Sequence, residues 1–119
     1  MRKFLLDSHA LIWFFEDDQR LPKQIKNMLE DADSQVFVSV ASLWEIAIKK
    51  SLQKLTLRKS IPEMFEECEA QDIEILPVAR PEIEMIEALP FHHRDPFDRV
   101  IIATAISRKL ETVSADVQF

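Results

Sequence analysis

Residues 3–15 read Lys3-Phe4-Leu5-Leu6-Asp7-Ser8-His9-Ala10-Leu11-Ile12-Trp13-Phe14-Phe15, and the fold turns on how that run divides. Lys3 to Leu6 reads as a short buried strand that ends at Asp7. Ser8 can cap a helix that begins at His9 and carries the apolar residues through Phe15. Strand, acid, helix is therefore the first unit, and further strands followed by helices come downstream, with no internal repeat. Val36-Phe37-Val38 is a second strand, after which Ser39 or Ser42 opens a helix to about Leu52, its apolar stripe Leu43, Trp44, Ala47, Ile48 and Leu52. Ile73 to Val78, with Pro77 inside it, is a third strand, and Thr112 to Ser114 the last. Further helices run from Pro22 to about Ala32, from the capping-box pair Ser60 and Glu63 to about Ala70, from Pro81 to near Leu89, and from Asp95-Pro96 through Lys109. Strands alternating with helices predict an α/β fold of three α/β/α layers, with a central parallel sheet of about four or five strands. One domain over residues 1–119 is expected at this length.

Composition narrows the chemistry. The chain is 47% hydrophobic and 30% charged, as in ordinary globular proteins. It contains no glycine, which removes the Gly-rich phosphate loop and the dinucleotide fingerprint together. The one cysteine, Cys68, permits neither an internal disulfide nor a cysteine-based zinc site, so a reducing cytosol is the expected compartment. No signal peptide and no run approaching a membrane span is visible. The net charge of −6 argues against a nucleic-acid partner until its distribution is read. Residues 60–88 hold nine acids and one base, a local charge of −8, so the remainder carries +2. Lys49, Lys50, Lys54, Arg58 and Lys59 form a basic segment without an acid, either a solvated face or a contact for a phosphate backbone.

Four carboxylates stand beside apolar runs: Asp7, Glu45, Asp98 and Asp116. A buried, unpaired carboxylate is strongly disfavoured. Two brought together repel by about 4 kcal/mol at a separation near 4 Å and an effective dielectric near 20. In an open parallel sheet the functional crevice lies beyond the carboxyl ends of the strands. Asp7 and Asp116 follow strands, and Glu45 and Asp98 sit on helices that follow a strand or loop, so one crevice can collect all four. A divalent cation would then compensate them, and hard oxygen ligands without Cys favour Mg²⁺ or Mn²⁺ over zinc. Metal-activated water attacking a phosphodiester fits that inventory. Each acid also has a plainer explanation. Glu45 and Lys49 have the spacing of a helix ion pair, Asp95 and Asp98 those of an N-cap and an N3 acid, and Asp116 that of a turn residue.

Four blocks carry a resemblance. They are Leu6-Asp7-Ser8-His9-Ala10-Leu11-Ile12-Trp13, then Ser39-x-x-Ser42-Leu43-Trp44-Glu45-Ile46-Ala47-Ile48-Lys49, His93-Arg94-Asp95-Pro96-Phe97-Asp98-Arg99-Val100-Ile101-Ile102-Ala103, and Ser114-Ala115-Asp116-x-x-Phe119. In this order the chain resembles the PIN-domain family, and within it the VapC-type toxins of bacterial toxin–antitoxin pairs. The resemblance implies a PIN-like fold and a Mg²⁺- or Mn²⁺-dependent endoribonuclease, its metal-binding acids Asp7, Glu45, Asp98 and Asp116, with Asp95 a further candidate. Ser8 stands where many relatives carry threonine. The implied partners are RNA, a homodimer mate, and an antitoxin that blocks the acidic pocket. Trp13, Phe14 and Phe15 are candidates for such an interface, with core packing as the alternative. Ser8, Lys49, Arg94 and Arg99 are candidates for substrate contact. The alternative reading is a PIN-like domain without catalysis that binds and regulates a protein partner. A phospho-acceptor role for Asp7 is disfavoured because His9 occupies the position where that chemistry wants a second acid.

Overall fold

The computed structural model describes residues 1–90 and 95–114. Among these, four strands, β1 (Arg2–Leu6), β2 (Ser34–Ser39), β3 (Ile73–Leu76) and β4 (Glu111–Val113), form one sheet in the order β3-β2-β1-β4. All three pairings are parallel, with Leu6 opposite Val38 on one side and Val113 on the other. Six helices connect them: α1 (Ser8–Glu16), α2 (Lys23–Glu30), α3 (Val40–Ser51), α4 (Ile61–Ala70), α5 (Arg80–Ala88) and α6 (Pro96–Arg108).

Side chains of β1 alternate between two cores. Phe4 and Leu6 pack with Leu11, Leu29, Leu43, Met64 and Cys68, whereas Leu5 packs with Leu76, Ile101, Ala105 and Leu110 on the opposite face. The sheet is thus covered on both faces, as the alternation of elements predicted, and β1 is apolar on both. Phe4, Leu5 and Leu6 are fully buried, each contributing roughly 1.5–3 kcal/mol by leaving water. Burial also pushes the Cys68 thiol up to about 11, which makes it an inert core residue.

The local signals that set element ends are mostly those the sequence announces. Ser60 and Glu63 form the reciprocal capping box, and Asp95 caps α6 by accepting from the Phe97 and Asp98 amides with Pro96 at the first turn. β3 stops at Leu76, because Pro77 cannot donate to the ladder. With no glycine available, Asp17, Gln53, Asp72 and Lys109 take the left-handed conformation at helix ends and turns, φ between 53° and 57°.

Besides the end of β3 at Leu76 in place of the expected Val78, two further expectations are corrected. The cap of α1 is Asp7, one residue earlier than Ser8, because the Asp7 carboxylate accepts from the Ala10 amide. The buried face of α3 is Ala41, Ser42, Leu43, Glu45 and Ile46, not the stripe through Trp44, Ile48 and Leu52. Apolar residues surround most of this helix, and packing against α1 and β2 selects one face. Val40, Trp44, Ile48 and Leu52, spaced four apart, are left as an exposed ridge.

Candidate active site

The strand order reverses at β1: the chain moves outward to β2 and β3, then returns to β4 on the other side. The crevice at such a reversal lies beyond the carboxyl ends of β1 and β4. Asp7 occupies that place. Its amide donates to the Val113 carbonyl at 3.1 Å, which extends the β1–β4 pairing by one residue. Its side chain is 5% exposed and fixed at both oxygens, Oδ1 by the Ala10 amide at 2.7 Å and Oδ2 by the Ser114 hydroxyl at 2.7 Å. The first contact is the helix cap and holds the carboxylate at the positive end of α1.

Ser8, displaced from the capping role, turns its hydroxyl to α3 and donates to Glu45 Oε1 at 2.8 Å. Glu45 is 7% exposed, and its other oxygen pairs with Lys49 Nζ at 2.9 Å. The i, i+4 ion pair expected of Glu45 is therefore made, and its other oxygen is held by the residue that follows Asp7. Ser114 with Asp7, and Ser8 with Glu45 and Lys49, form two polar sets joined where Asp7 and Ser8 are neighbours in sequence. One turn before Glu45, Ser42 Oγ is the buried side-chain polar atom left without a hydrogen-bond partner among the described residues.

Asp98 lies half-buried in the first turn of α6, which packs on α3. The rings of Trp44 and Phe97, the residues preceding Glu45 and Asp98, meet edge to face at 5.4 Å between centroids. Asp95, the cap of that turn, is exposed. Arg99 directs its guanidinium to the carbonyl oxygens of Ile86, Leu89 and Pro90. Phe14 is buried in the core, and Trp13 and Phe15 pack half-buried against it. Of the basic segment, Lys50 donates to the Lys59 carbonyl and Lys59 pairs with Glu67 at 2.8 Å, while Lys54 and Arg58 are exposed. Asp116, Arg94 and the histidines of the 91–94 segment lie outside the described residues.

Among the described residues no three His, Cys, Asp or Glu side chains gather closely enough to hold an ion. What they do supply is donor chemistry that suits a hard cation: two buried carboxylates, each fixed by a serine hydroxyl. The Ser114 hydroxyl is the contributor that sequence reasoning missed. Its only signal was a polar residue closing the last strand one turn from an acid.

The family model described as the PIN domain matches residues 4–119. Ribonuclease VapC22 of Mycobacterium tuberculosis is 29% identical over 117 residues, which covers 98% of this chain and 88% of that protein. Among solved structures, DNA-bound VapBC from Salmonella typhimurium aligns with a TM-score of 0.58 at 18% identity, covering 98% of this chain and 100% of the matched chain. At that identity the structural likeness speaks for the fold.

Proposed function

This chain belongs to the PIN-domain family, and from that premise we propose that it is a ribonuclease that serves as the toxin of a cytosolic toxin–antitoxin pair. The observation that carries the reading is the buried corner in which Asp7 and Glu45 are each held by a serine hydroxyl at the β1–β4 reversal. Similarity to a ribonuclease over nearly the whole chain supports it.

Asp7, Glu45, Asp98 and Asp116 would hold Mg²⁺ or Mn²⁺, with Asp95 at the margin. When bound, such an ion lowers the pKa of a coordinated water and neutralises charge developing on a phosphoryl oxygen. The chain's own part is to place the oxygens in advance. The Ala10 amide and Ser114 hydroxyl leave Asp7 no rotational freedom, and Ser8 orients Glu45. Lys49 offsets the charge of Glu45 and stands one helical turn from the crevice, within reach of an incoming phosphate. Arg94 is assigned to the same use. RNA enters as substrate, and an antitoxin with a basic side chain suits the acidic corner. The exposed ridge Val40, Trp44, Ile48 and Leu52 favours a second copy of the chain as a homodimer mate, in preference to the largely buried Trp13, Phe14 and Phe15.

The test is incubation of the purified protein with a mixed RNA pool, with Mg²⁺ or Mn²⁺ and with EDTA. Cleavage that requires the metal and is lost in Asp98→Asn supports the proposal. Absence of cleavage across diverse RNAs, with Mn²⁺ binding intact, supports the non-catalytic regulatory reading instead.

A further inference from the structure

We infer that Arg99 is a positioning residue for Asp98 and not a contact for substrate. The inference rests on the proposed metal-binding role of Asp98 and concerns what holds that carboxylate in place. Arg99 follows Asp98 in the first turn of α6, where a basic residue beside an acidic crevice reads naturally as a phosphate ligand. Its guanidinium is used differently. Nη2 donates to the Ile86 carbonyl at 2.8 Å and to the Leu89 carbonyl at 3.4 Å, and Nη1 donates to the Pro90 carbonyl at 3.4 Å. Ile86 lies in the last turn of α5 and Leu89 is its C-cap; the Ile86 carbonyl takes only the long 3.3 Å bond from the Leu89 amide, and this end carries the negative pole of the helix dipole. A planar fork with fixed donor directions matches that set of acceptors, and a lysine would not.

The consequence is local. Among the described residues the Asp95 carboxylate caps the amides of the turn bearing Asp98, the Phe97 ring abuts Trp44 of α3, and Arg99 ties the turn to α5. Asp98 lies between Phe97 and Arg99 in sequence, so release of either anchor lets its backbone shift. The other end of the same helix pair has its own tether, Arg108 Nε to Glu82 Oε1 at 3.1 Å. That second arginine provides the control for general loosening of α5 against α6.

Calorimetric titration of Mn²⁺ alone into wild type, Asp98→Asn, Arg99→Met, Arg99→Lys and Arg108→Met separates the readings, at a temperature where circular dichroism shows each variant folded. Arg99→Met is expected to weaken Mn²⁺ binding roughly 10–100-fold, the range for loss of a residue that orients a ligand. Arg99→Lys is expected to weaken it less, and Arg108→Met to leave it unchanged. Saturating metal should restore kcat in both Arg99 variants, with KM for RNA unaltered. If Arg99→Met fails to fold, Arg99→Lys carries the comparison, and wild-type Mn²⁺ affinity there overturns the inference. Loss of affinity in Asp98→Asn with none in the Arg99 variants also overturns it. A raised KM for RNA and a shallower salt dependence would then mark Arg99 as a phosphate contact. Unchanged affinity in Asp98→Asn removes the metal role of Asp98 itself, a separate failure.

Discussion

Glu45 and Glu82 are both buried glutamates paired with a cation from a helix, yet the structure treats them differently. Glu82 is 1% exposed, more deeply buried than Glu45, and pairs with Arg108 across the α5–α6 contact. Glu45 pairs with Lys49 of its own helix and takes a second bond from Ser8, next to Asp7. Burial alone therefore does not mark a functional acid. The distinction lies in company: Glu82 has a cross-helix partner and ties two helices, whereas Glu45 shares a corner with a second carboxylate, at the point where the strand order reverses. One region is architecture and the other is the corner proposed to take a cation.

That contrast can be broken at either end. The largest effect is expected at the architectural acid. Glu82→Ala empties a buried site and leaves the partly exposed Arg108 without its carboxylate, and should lower unfolding stability by about 2–4 kcal/mol, measured by urea denaturation. Turnover by the fraction that remains folded should match wild type. Asp7→Asn should do the opposite. Asparagine caps a helix as well as aspartate does, so stability should hold or rise as like charges are removed, while kcat for RNA falls roughly 10²–10³-fold. A kcat close to wild type in Asp7→Asn would erase the difference between the two regions. Ser8→Ala sharpens the comparison on a smaller scale. Loss of the hydroxyl that orients Glu45 should reduce activity about 10–100-fold, with the melting curve little changed. The smallest effect is at Lys109, the left-handed residue that ends α6 beside Arg108. Lys109→Gly should stabilise the fold by about 0.5–1 kcal/mol and leave cleavage untouched.

Some of this could be read from the chain alone because it is local. The box of Ser60 and Glu63, the cap and proline at Asp95 and Pro96, and the apolar run ending at Asp7 each depend on neighbours within four residues. What could not be read is what depends on partners distant in sequence. Ser8 reads locally as the cap of α1, because its role as a donor to Glu45, 37 residues away, leaves no local trace. Trp44 and Ile48 were placed in the core because a helix apolar over most of its surface does not state which face packs. Glu82 reads only as one of nine acids in residues 60–88, since its pairing with Arg108 spans 26 residues. Arg99 reads as a candidate for substrate contact, and its carbonyl acceptors at the end of another helix have no sequence signature. Among the candidate acids, Asp7 and Glu45 are brought into one corner by bonds that can be named, and Asp98 is reached through the ring contact of its neighbour.

Titration of Mn²⁺ into Glu45→Gln and Glu82→Gln side by side, read by calorimetry on folded protein, tests the central claim most directly. The account predicts that Glu45→Gln binds the ion at least about tenfold more weakly than wild type, while Glu82→Gln binds as wild type does. Unchanged binding in Glu45→Gln, or an equal loss in Glu82→Gln, would contradict it.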